Sequence, residues 1–276
     1  MKRRLLLVLV ALSFLASVYV SAVRPLLLSI IPLPTIPGGI AGQTIPAVLF
    51  AFTHAVYALG WRHALAFFGI GTVVSWTLEH VGVACGCVYG GYHYTGLLGM
   101  KLGYVPALIP LSWFMMLYSS YVVVNCMIGD HPVGSRGSLG RIVWVSFVSA
   151  AVMTAQDLIM DPIMAGPVIQ AWVWEQGGGY FGVPALNYLG WIVTSFIVYV
   201  SYRLLEWRLS PRPLGPMTRT MTTMPLVIYG LLIVTGTLSI APSALTVVGP
   251  FVLGLPLLVA ITRVWFQVAE QPLSSS

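Results

Sequence analysis

The sequence predicts an all-α fold: a polytopic bundle of about eight transmembrane helices, forming one integral membrane domain over residues 1–276 with both termini in the cytoplasm. Three observations support this prediction. Hydrophobic residues make up 58% of the chain, charged residues only 7%, and the mean hydropathy is +0.91. Apolar stretches of bilayer-spanning length recur along the chain. The basic residues concentrate on alternate connecting segments. This composition is typical of a membrane protein.

A window of about 20 residues, the length of a transmembrane helix, locates eight apolar stretches. They are residues 5–23, 45–60, 64–84, 104–128, 142–160, 186–205, 224–241 and 244–264. The proline- and glycine-rich residues 29–46 between the first two predict a loop, a short interfacial helix or a re-entrant segment. An alternative for the first stretch is a cleaved signal peptide, because "MKRR" precedes it and small residues occur in "VSA" at 20–22.

The distribution of basic residues indicates the orientation. With a cytoplasmic N-terminus, only Arg24 and Lys101 of the 13 basic residues lie on outer segments. The others lie on inner segments: Lys2, Arg3, Arg4, Arg62, Arg136, Arg141, Arg203, Arg208, Arg212, Arg219 and Arg263. Cytoplasmic loops of membrane proteins carry such an excess. The formal charge of +6 therefore reflects topology, and we predict no nucleic-acid partner.

Several kinds of chemistry lack their sequence signals. Three cysteines, with "CGC" at 85–87 and Cys126, lack CxxC spacing and indicate neither a metal site nor a disulfide framework. The five histidines are isolated, which disfavours metal-dependent oxidation. The glycines of "GGGYFG" at 177–182 lack the strand-to-helix context of a nucleotide loop. We therefore predict no cofactor and no metal.

Topology places most acidic residues in the outer half of the bundle. Four of the seven, Glu79, Asp157, Asp161 and Glu175, lie at outer helix ends or in outer loops. Polar and aromatic residues accompany them there: Tyr92, Tyr94, Trp113, Trp172, Trp174, Tyr180, Asn187 and Trp191. The inner side holds Asp130, Glu206 and Glu270, for which a solvated loop charge is the ordinary explanation. The outer half is therefore the predicted site.

Asp157 and Asp161 are the most unusual residues, because an ionised aspartate at mid-bilayer costs roughly 2.5–3.5 kcal/mol. Four residues apart, they lie on one helix face, and charges about 5 Å apart repel by roughly 3 kcal/mol at a dielectric constant of about 20. The pair should therefore share one proton near neutral pH. Such a pair can donate one proton and accept another.

Each of these residues also has a purely structural interpretation. Asp161 before Pro162 can be the N-cap of a new helix. Glu79 can pair with His80 or extend to the membrane surface. Trp172 and Trp174 can belong to the interfacial aromatic belt. Asn187 can cap the sixth span.

A cofactor-free acidic site lined by aromatic rings suits chemistry on a lipid-soluble alkene. Protonation of a trisubstituted double bond gives a tertiary carbocation, which aromatic faces stabilise by roughly 0.5–2 kcal/mol each, and a carboxylate can deprotonate the incoming water. The predicted reaction is hydration, with Asp157, Asp161 and Glu79 as catalytic residues. The predicted substrate-binding residues are Trp113, Tyr92, Tyr94, Trp172, Trp174, Glu175, Tyr180, Asn187 and Trp191.

An ordered series of motifs resembles a known family. After Glu79 come "YGGYHYTG" at 89–96, "VPALIPLSW" at 105–113, "DLIMDP" at 157–162 and "WVWEQGGGYFGVPALNYLGW" at 172–191. Over about residues 75–205 the chain resembles the membrane carotenoid biosynthesis family of the bisanhydrobacterioruberin hydratase and gamma-carotene 1′-hydratase type. It departs from that family at Gln156, where a tryptophan is frequent, and at Cys85–Gly86, where Thr-Gly is frequent.

The resemblance implies addition of water across the terminal double bond of an acyclic (psi) carotenoid end, yielding a tertiary alcohol. The implied partners are a lipid-soluble carotenoid, water, membrane lipid and other carotenoid-pathway enzymes, and the implied location is the cell membrane. Two alternatives remain. An end-group cyclase would share the first protonation and then lose a proton, and a proton-coupled transporter or flippase would use the two aspartates as a relay.

Overall fold

The computed structural model describes residues 2–129, 137–238 and 242–266, and it confirms the all-α membrane bundle. By length and composition, seven of the described helices can cross a bilayer. They are Arg3–Leu28, Gly39–Leu59, Trp61–Cys85, Leu108–Met127, Leu139–Met164, Ala185–Arg208 and Leu245–Phe266. A further predicted span corresponds to a helix whose apolar part, Arg219–Thr235, is shorter. Asp130 and Glu270 lie outside the described residues.

The elements follow one another in a simple order. The helices are α1 (Lys2–Val18), α2 (Arg24–Leu28), α3 (Gly39–Leu59), α4 (Trp61–Cys85), α5 (Leu108–Met127), α6 (Leu139–Met164), α7 (Ala185–Arg208), α8 (Arg219–Leu238), α9 (Leu245–Val252) and α10 (Gly254–Phe266). The strands are β1 (Tyr92–Tyr94), β2 (Lys101–Leu102), β3 (Val105–Pro106) and β4 (Trp172–Trp174). A π-helical segment, Tyr19–Val23, joins α1 to α2.

Helix α5 forms the centre of the bundle. Most of its side chains are buried, and α3, α4, α6, α8 and α10 all pack against it. Aromatic rings fill the core between the helices; for example, Phe67 of α4 stacks on Tyr202 of α7 with centroids 4.2 Å apart. The N-terminal helix, which comprises α1, the π-helical segment and α2, lies at the periphery, where Leu12 and Leu15 of α1 are exposed. An apolar face exposed on a long helix is the surface expected to meet lipid.

Three local predictions need correction. Helix α3 begins at Gly39, inside the segment predicted to be a loop, a short interfacial helix or a re-entrant segment, and it continues through Pro46 as one helix. Pro46 falls in its third turn, where the helix can rearrange around the missing N–H. Helix α6 continues through Asp161 and Pro162 to Met164, so Asp161 caps no new helix. Cys85 and Cys87 form a disulfide, while Cys126 is free and buried.

The connections between α4 and α5 and between α6 and α7 contribute two small antiparallel sheets, each of two strands. Strand β1 pairs with β4, with Tyr92 opposite Trp174 and Tyr94 opposite Trp172. Strand β2 pairs with β3 just before α5 begins. Because alternate residues of a strand share a face, the β1–β4 pair places two tyrosines and two tryptophans on one side. His93, between the tyrosines, is exposed on the other side.

Candidate active site

Three carboxyl groups line one cavity of about 710 Å³ between the helices. Glu79 comes from the last turns of α4, and Asp157 and Asp161 come from consecutive turns of α6. All three side chains are buried. Among the described residues that line the cavity there is no lysine, arginine or histidine. The site therefore collects acidic groups away from water without a neighbouring cation.

Hydrogen-bond donors surround Glu79. The hydroxyls of Tyr92 and Tyr94 donate to its Oε2, the latter at 2.7 Å, and Nε1 of Trp113 donates to Oε1 at 2.9 Å. Burial, followed by the charge of Glu79, raises the pKa of Tyr92 and Tyr94, so both phenols stay protonated as donors. His80 instead lies between the rings of Trp76 and Tyr104. The proposed Glu79–His80 ion pair is therefore wrong.

Asp161 also accepts three hydrogen bonds. The indole N–H groups of Trp172 and Trp174 donate to its Oδ1 at 2.8 and 3.1 Å, and the Asn187 amide donates to Oδ2 at 2.8 Å. The two tryptophans thus bind a buried carboxyl group, and the aromatic-belt interpretation does not describe them. An indole N–H can only donate, so these contacts favour an ionised Asp161.

Asp157 has a different environment. Its Oδ2 accepts a hydrogen bond of 2.6 Å from Asn187 Nδ2, whereas its buried Oδ1 has no hydrogen-bond partner within the described part of the chain. Asn187 is the third residue of α7, and Pro184 occupies the N-cap position, so the helix-cap interpretation of Asn187 is wrong. Its amide instead bridges the two aspartates. The two carboxyl groups are therefore hydrogen-bonded to the same amide nitrogen, Nδ2 of Asn187.

The β1–β4 ladder explains how residues far apart in sequence reach these carboxyl groups. In "YHY" and "WVW" the aromatic residues alternate with His93 and Val173, and the antiparallel register puts all four aromatic rings on one face. The tyrosines then reach α4, and the tryptophans reach α6. The alternation is visible in the sequence, but the pairing of the two strands is not.

A stacked pair of indoles forms another wall of the cavity. Trp113 of α5 and Trp191 of α7 have ring centroids 4.1 Å apart and planes inclined by 23°. Gln156, next to Asp157 in sequence, also lines the cavity, and its amide donates to Ser120 Oγ at 2.8 Å. This glutamine stands where a tryptophan is frequent in the family that the chain resembles. Its bond to Ser120 holds the amide against α5.

Two residues expected at the site lie away from it. The Glu175 side chain is 59% exposed, and its Oε1 lies 3.8 Å from Nδ1 of His93 at the protein surface. Tyr180 donates from its hydroxyl to the Leu158 carbonyl at 3.0 Å. That carbonyl is the one whose helical partner would be the N–H of residue 162, which a proline lacks. Tyr180 therefore satisfies the backbone of α6, and neither residue lines the cavity.

Part of the cavity wall consists of residues that the sequence did not single out. Tyr89 lines the cavity and makes a 2.8 Å hydrogen bond with Thr194. A Cβ at Gly190 would lie 2.5 Å from the Tyr89 ring, so the glycine permits this close packing. Residues of the N-terminal helix, α3 and α8 form the remainder of the cavity wall. Their apolar residues resemble any other membrane span, so the sequence offered no signal for them.

The carboxyl groups do not form a metal-binding cluster. Within the described ranges, no group of three or more His, Cys, Asp or Glu residues is arranged to hold a metal ion. N–H and O–H donors already occupy both oxygens of Glu79 and of Asp161. The arrangement can hold and move protons.

The fold and this site define an integral membrane protein with a buried, aromatic-lined acidic centre. The sequence profile described as carotenoid biosynthesis protein matches residues 41–261, so the chain belongs to the carotenoid biosynthesis protein family. The bisanhydrobacterioruberin hydratase of Haloarcula japonica is 29% identical over 132 residues, which are 48% of this chain and 42% of that protein. The chain therefore matches less than half of that relative's length. No solved structure matches the chain.

Proposed function

We propose that the protein is a carotenoid hydratase of the cell membrane, which adds water across the terminal double bond of an acyclic carotenoid end to give a tertiary alcohol. The observation that carries the proposal is the unequal hydrogen bonding of the three carboxyl groups. Glu79 and Asp161 each accept three hydrogen bonds, and Asp157 accepts one. Family membership and the distant hydratase relative support the substrate class.

The number of hydrogen bonds to each carboxyl group suggests which groups are ionised and which one is the acid. Donors stabilise a carboxylate, so Glu79 and Asp161 are the ionised groups. Three neighbouring charges would repel one another strongly in a site of low polarity, so one carboxyl group keeps its proton. Asp157 has the fewest donors, and its buried oxygen Oδ1 forms no hydrogen bond with the described residues. Asp157 is therefore the general acid that protonates the alkene.

Protonation of the less substituted alkene carbon leaves a tertiary carbocation. The carboxylates of Glu79 and Asp161 and the rings of Trp113 and Trp191 surround the cavity where this charge develops. Carboxylates attract the cation directly, and each aromatic face adds about 0.5–2 kcal/mol. Because their donors hold these groups in place before the reaction, little reorganisation is required.

Water then completes the reaction. Its oxygen forms a bond to the carbocation, and the proton that it releases returns to Asp157, which became a carboxylate in the first step. Alkene and water are consumed, one alcohol forms, and the acid is restored. In the alternative cyclisation, the cation would be captured by a double bond of the same substrate and would then lose a proton, leaving the mass unchanged.

The test is expression of the full chain, without oxygen, in a host that accumulates acyclic carotenoids. We expect a more polar pigment that is heavier by one water and takes its oxygen from labelled water. A new pigment of unchanged mass would indicate the cyclase. Product oxygen that derives from molecular oxygen, in a parallel aerobic culture, would contradict the proposal.

A further inference from the structure

The cavity is lined not only by the carboxyl groups and their neighbours but also by residues of other helices. These include the N-terminal helix, α3 and α8. We call this part the arm and define it by Val20, Pro25, Ile40, Ala47, Leu231 and Leu232, which all line the same cavity. These side chains are apolar. The cavity thus has a reactive portion rich in hydrogen bonds and an apolar portion.

Four polar side chains also line this part of the cavity, Ser21, Gln43, Thr44 and Thr235, and the two threonines are hydrogen-bonded within their own helices. The hydroxyl of Thr44 donates to the Ile40 carbonyl at 2.9 Å, and that of Thr235 donates to the Leu231 carbonyl at 3.1 Å. A threonine bonded in this way needs no water and can turn its methyl group outward. The arm is therefore suited to a long apolar chain.

The N-terminal helix is an unusual wall for a binding site. It packs on α3 and α8, and its π-helical segment, Tyr19–Val23, contributes Val20 to the cavity. Short π-helical segments inside helices are frequent at functional sites. This helix also precedes residue 41, where the match to the family begins. Part of the cavity wall is therefore formed by a helix that precedes the residues matched by the family profile.

We propose that the arm binds the polyene chain of the substrate while the carboxyl groups act on its end, and that Val20 and Ala47 determine which chains fit. The identity of the ligand rests on the proposed function. Val20 is half-buried on the peripheral helix, and Ala47 is buried on α3. A larger side chain at either position would occupy the arm.

The test measures bound pigment, which requires no turnover. The full chain and the variants Ala47→Phe and Val20→Phe are purified from a host that accumulates an acyclic carotenoid, and the pigment absorbance is divided by that of the protein. Matched controls are Leu49→Phe and Leu15→Phe, at positions on the same two helices that are 53% and 60% exposed. Thermal unfolding verifies that each variant is folded.

We expect bound pigment to fall by about tenfold or more in Ala47→Phe and Val20→Phe and to persist in both controls. If Ala47→Phe does not fold, Val20→Phe on the peripheral helix gives the answer alone. Equal pigment in the arm variants and the controls would overturn the proposal, as would an original chain that binds none. Pigment that binds through the arm without being hydrated would contradict the proposed function and leave the arm intact.

Discussion

Two buried acidic regions lie at opposite ends of the bundle, and they are built differently. At the end that contains the candidate active site, the start of α7 brings Asn187 to Asp157 and Asp161. At the other end, the last turns of α7 bury Arg203 and Glu206. Nη2 of Arg203 donates to Asn125 Oδ1 at 2.9 Å and to Ser149 Oγ at 3.1 Å. The second region, unlike the first, contains a buried cation.

Tyr121 connects the two charged residues of that second region. Its hydroxyl donates to Glu206 Oε1, and its ring centroid lies 4.8 Å from the Arg203 guanidinium carbon. The prediction that Glu206 is a solvated loop charge is therefore wrong, because its side chain is buried and accepts a hydrogen bond from a tyrosine whose ring lies against an arginine. A carboxylate with a nearby cation is stable as an ion and resists protonation. Among the described residues that line the cavity of the candidate active site no cation provides that compensation, and we therefore expect one of its carboxyl groups to hold a proton.

The largest expected effect is on Asp157. Asp157→Asn keeps the shape of the side chain but cannot donate an acidic proton, so hydration should fall by a factor of about 100 to 10,000. The melting temperature should not fall, because the change removes a buried acid from a site without a cation. Product formation in purified membranes, divided by folded protein, measures the effect. Near-normal hydration would exclude Asp157 as the acid and make Glu79 the next candidate.

A change in the second region should affect stability instead. Arg203→Met removes a buried guanidinium that donates to Asn125 and Ser149, and removing one charged member of a buried polar network costs about 3–5 kcal/mol. We expect the melting temperature to fall by on the order of 10 °C, with turnover per folded molecule preserved. A loss of turnover without a loss of stability would show that the two regions are functionally coupled.

The amide that bridges the aspartates should have an intermediate effect. Asn187→Ala removes one donor from each of Asp157 and Asp161, and the hydration rate should fall by about 10- to 100-fold. Asn125→Ala is the matched control, since Asn125 is an amide at the other end of the bundle that accepts from Arg203. The control should lower the melting temperature more than the rate. Equal effects of the two changes on the rate would argue against a bridging role.

The smallest effect is expected at Glu175, which was predicted to belong to the site but does not line the cavity. Its side chain is exposed and pairs with His93 at the surface, and exposed pairs contribute little. Glu175→Gln should therefore leave the hydration rate within about twofold of the original. A large loss of rate would show that Glu175 acts on the substrate despite its exposed position.

The sequence predicted the depth of the acidic residues better than their surroundings. Glu79, Asp157 and Asp161 stood out because a charge in an apolar span needs a physical reason. The predicted depth in the membrane gave the wrong environment for Glu175, which is exposed, and for Glu206, which is buried, because depth does not specify which way a side chain points. The three-residue strands β1 and β4 are about 80 residues apart in sequence, and no local propensity predicts such a pairing. The sequence did not indicate that the N-terminal helix lines the cavity, because side chains that face lipid and side chains that face an apolar ligand are of the same types.

The most direct test of the account is to identify the carboxyl group that holds the proton. Infrared difference spectroscopy of the full-length protein at neutral pH, comparing each variant with the original chain, detects the carbonyl stretch that a protonated carboxyl group has and a carboxylate lacks. The account predicts that Asp157→Asn removes one such band, whereas Asp161→Asn and Glu79→Gln leave it in place. A band that persists in Asp157→Asn and disappears in Asp161→Asn or Glu79→Gln would contradict the division of roles proposed for this site.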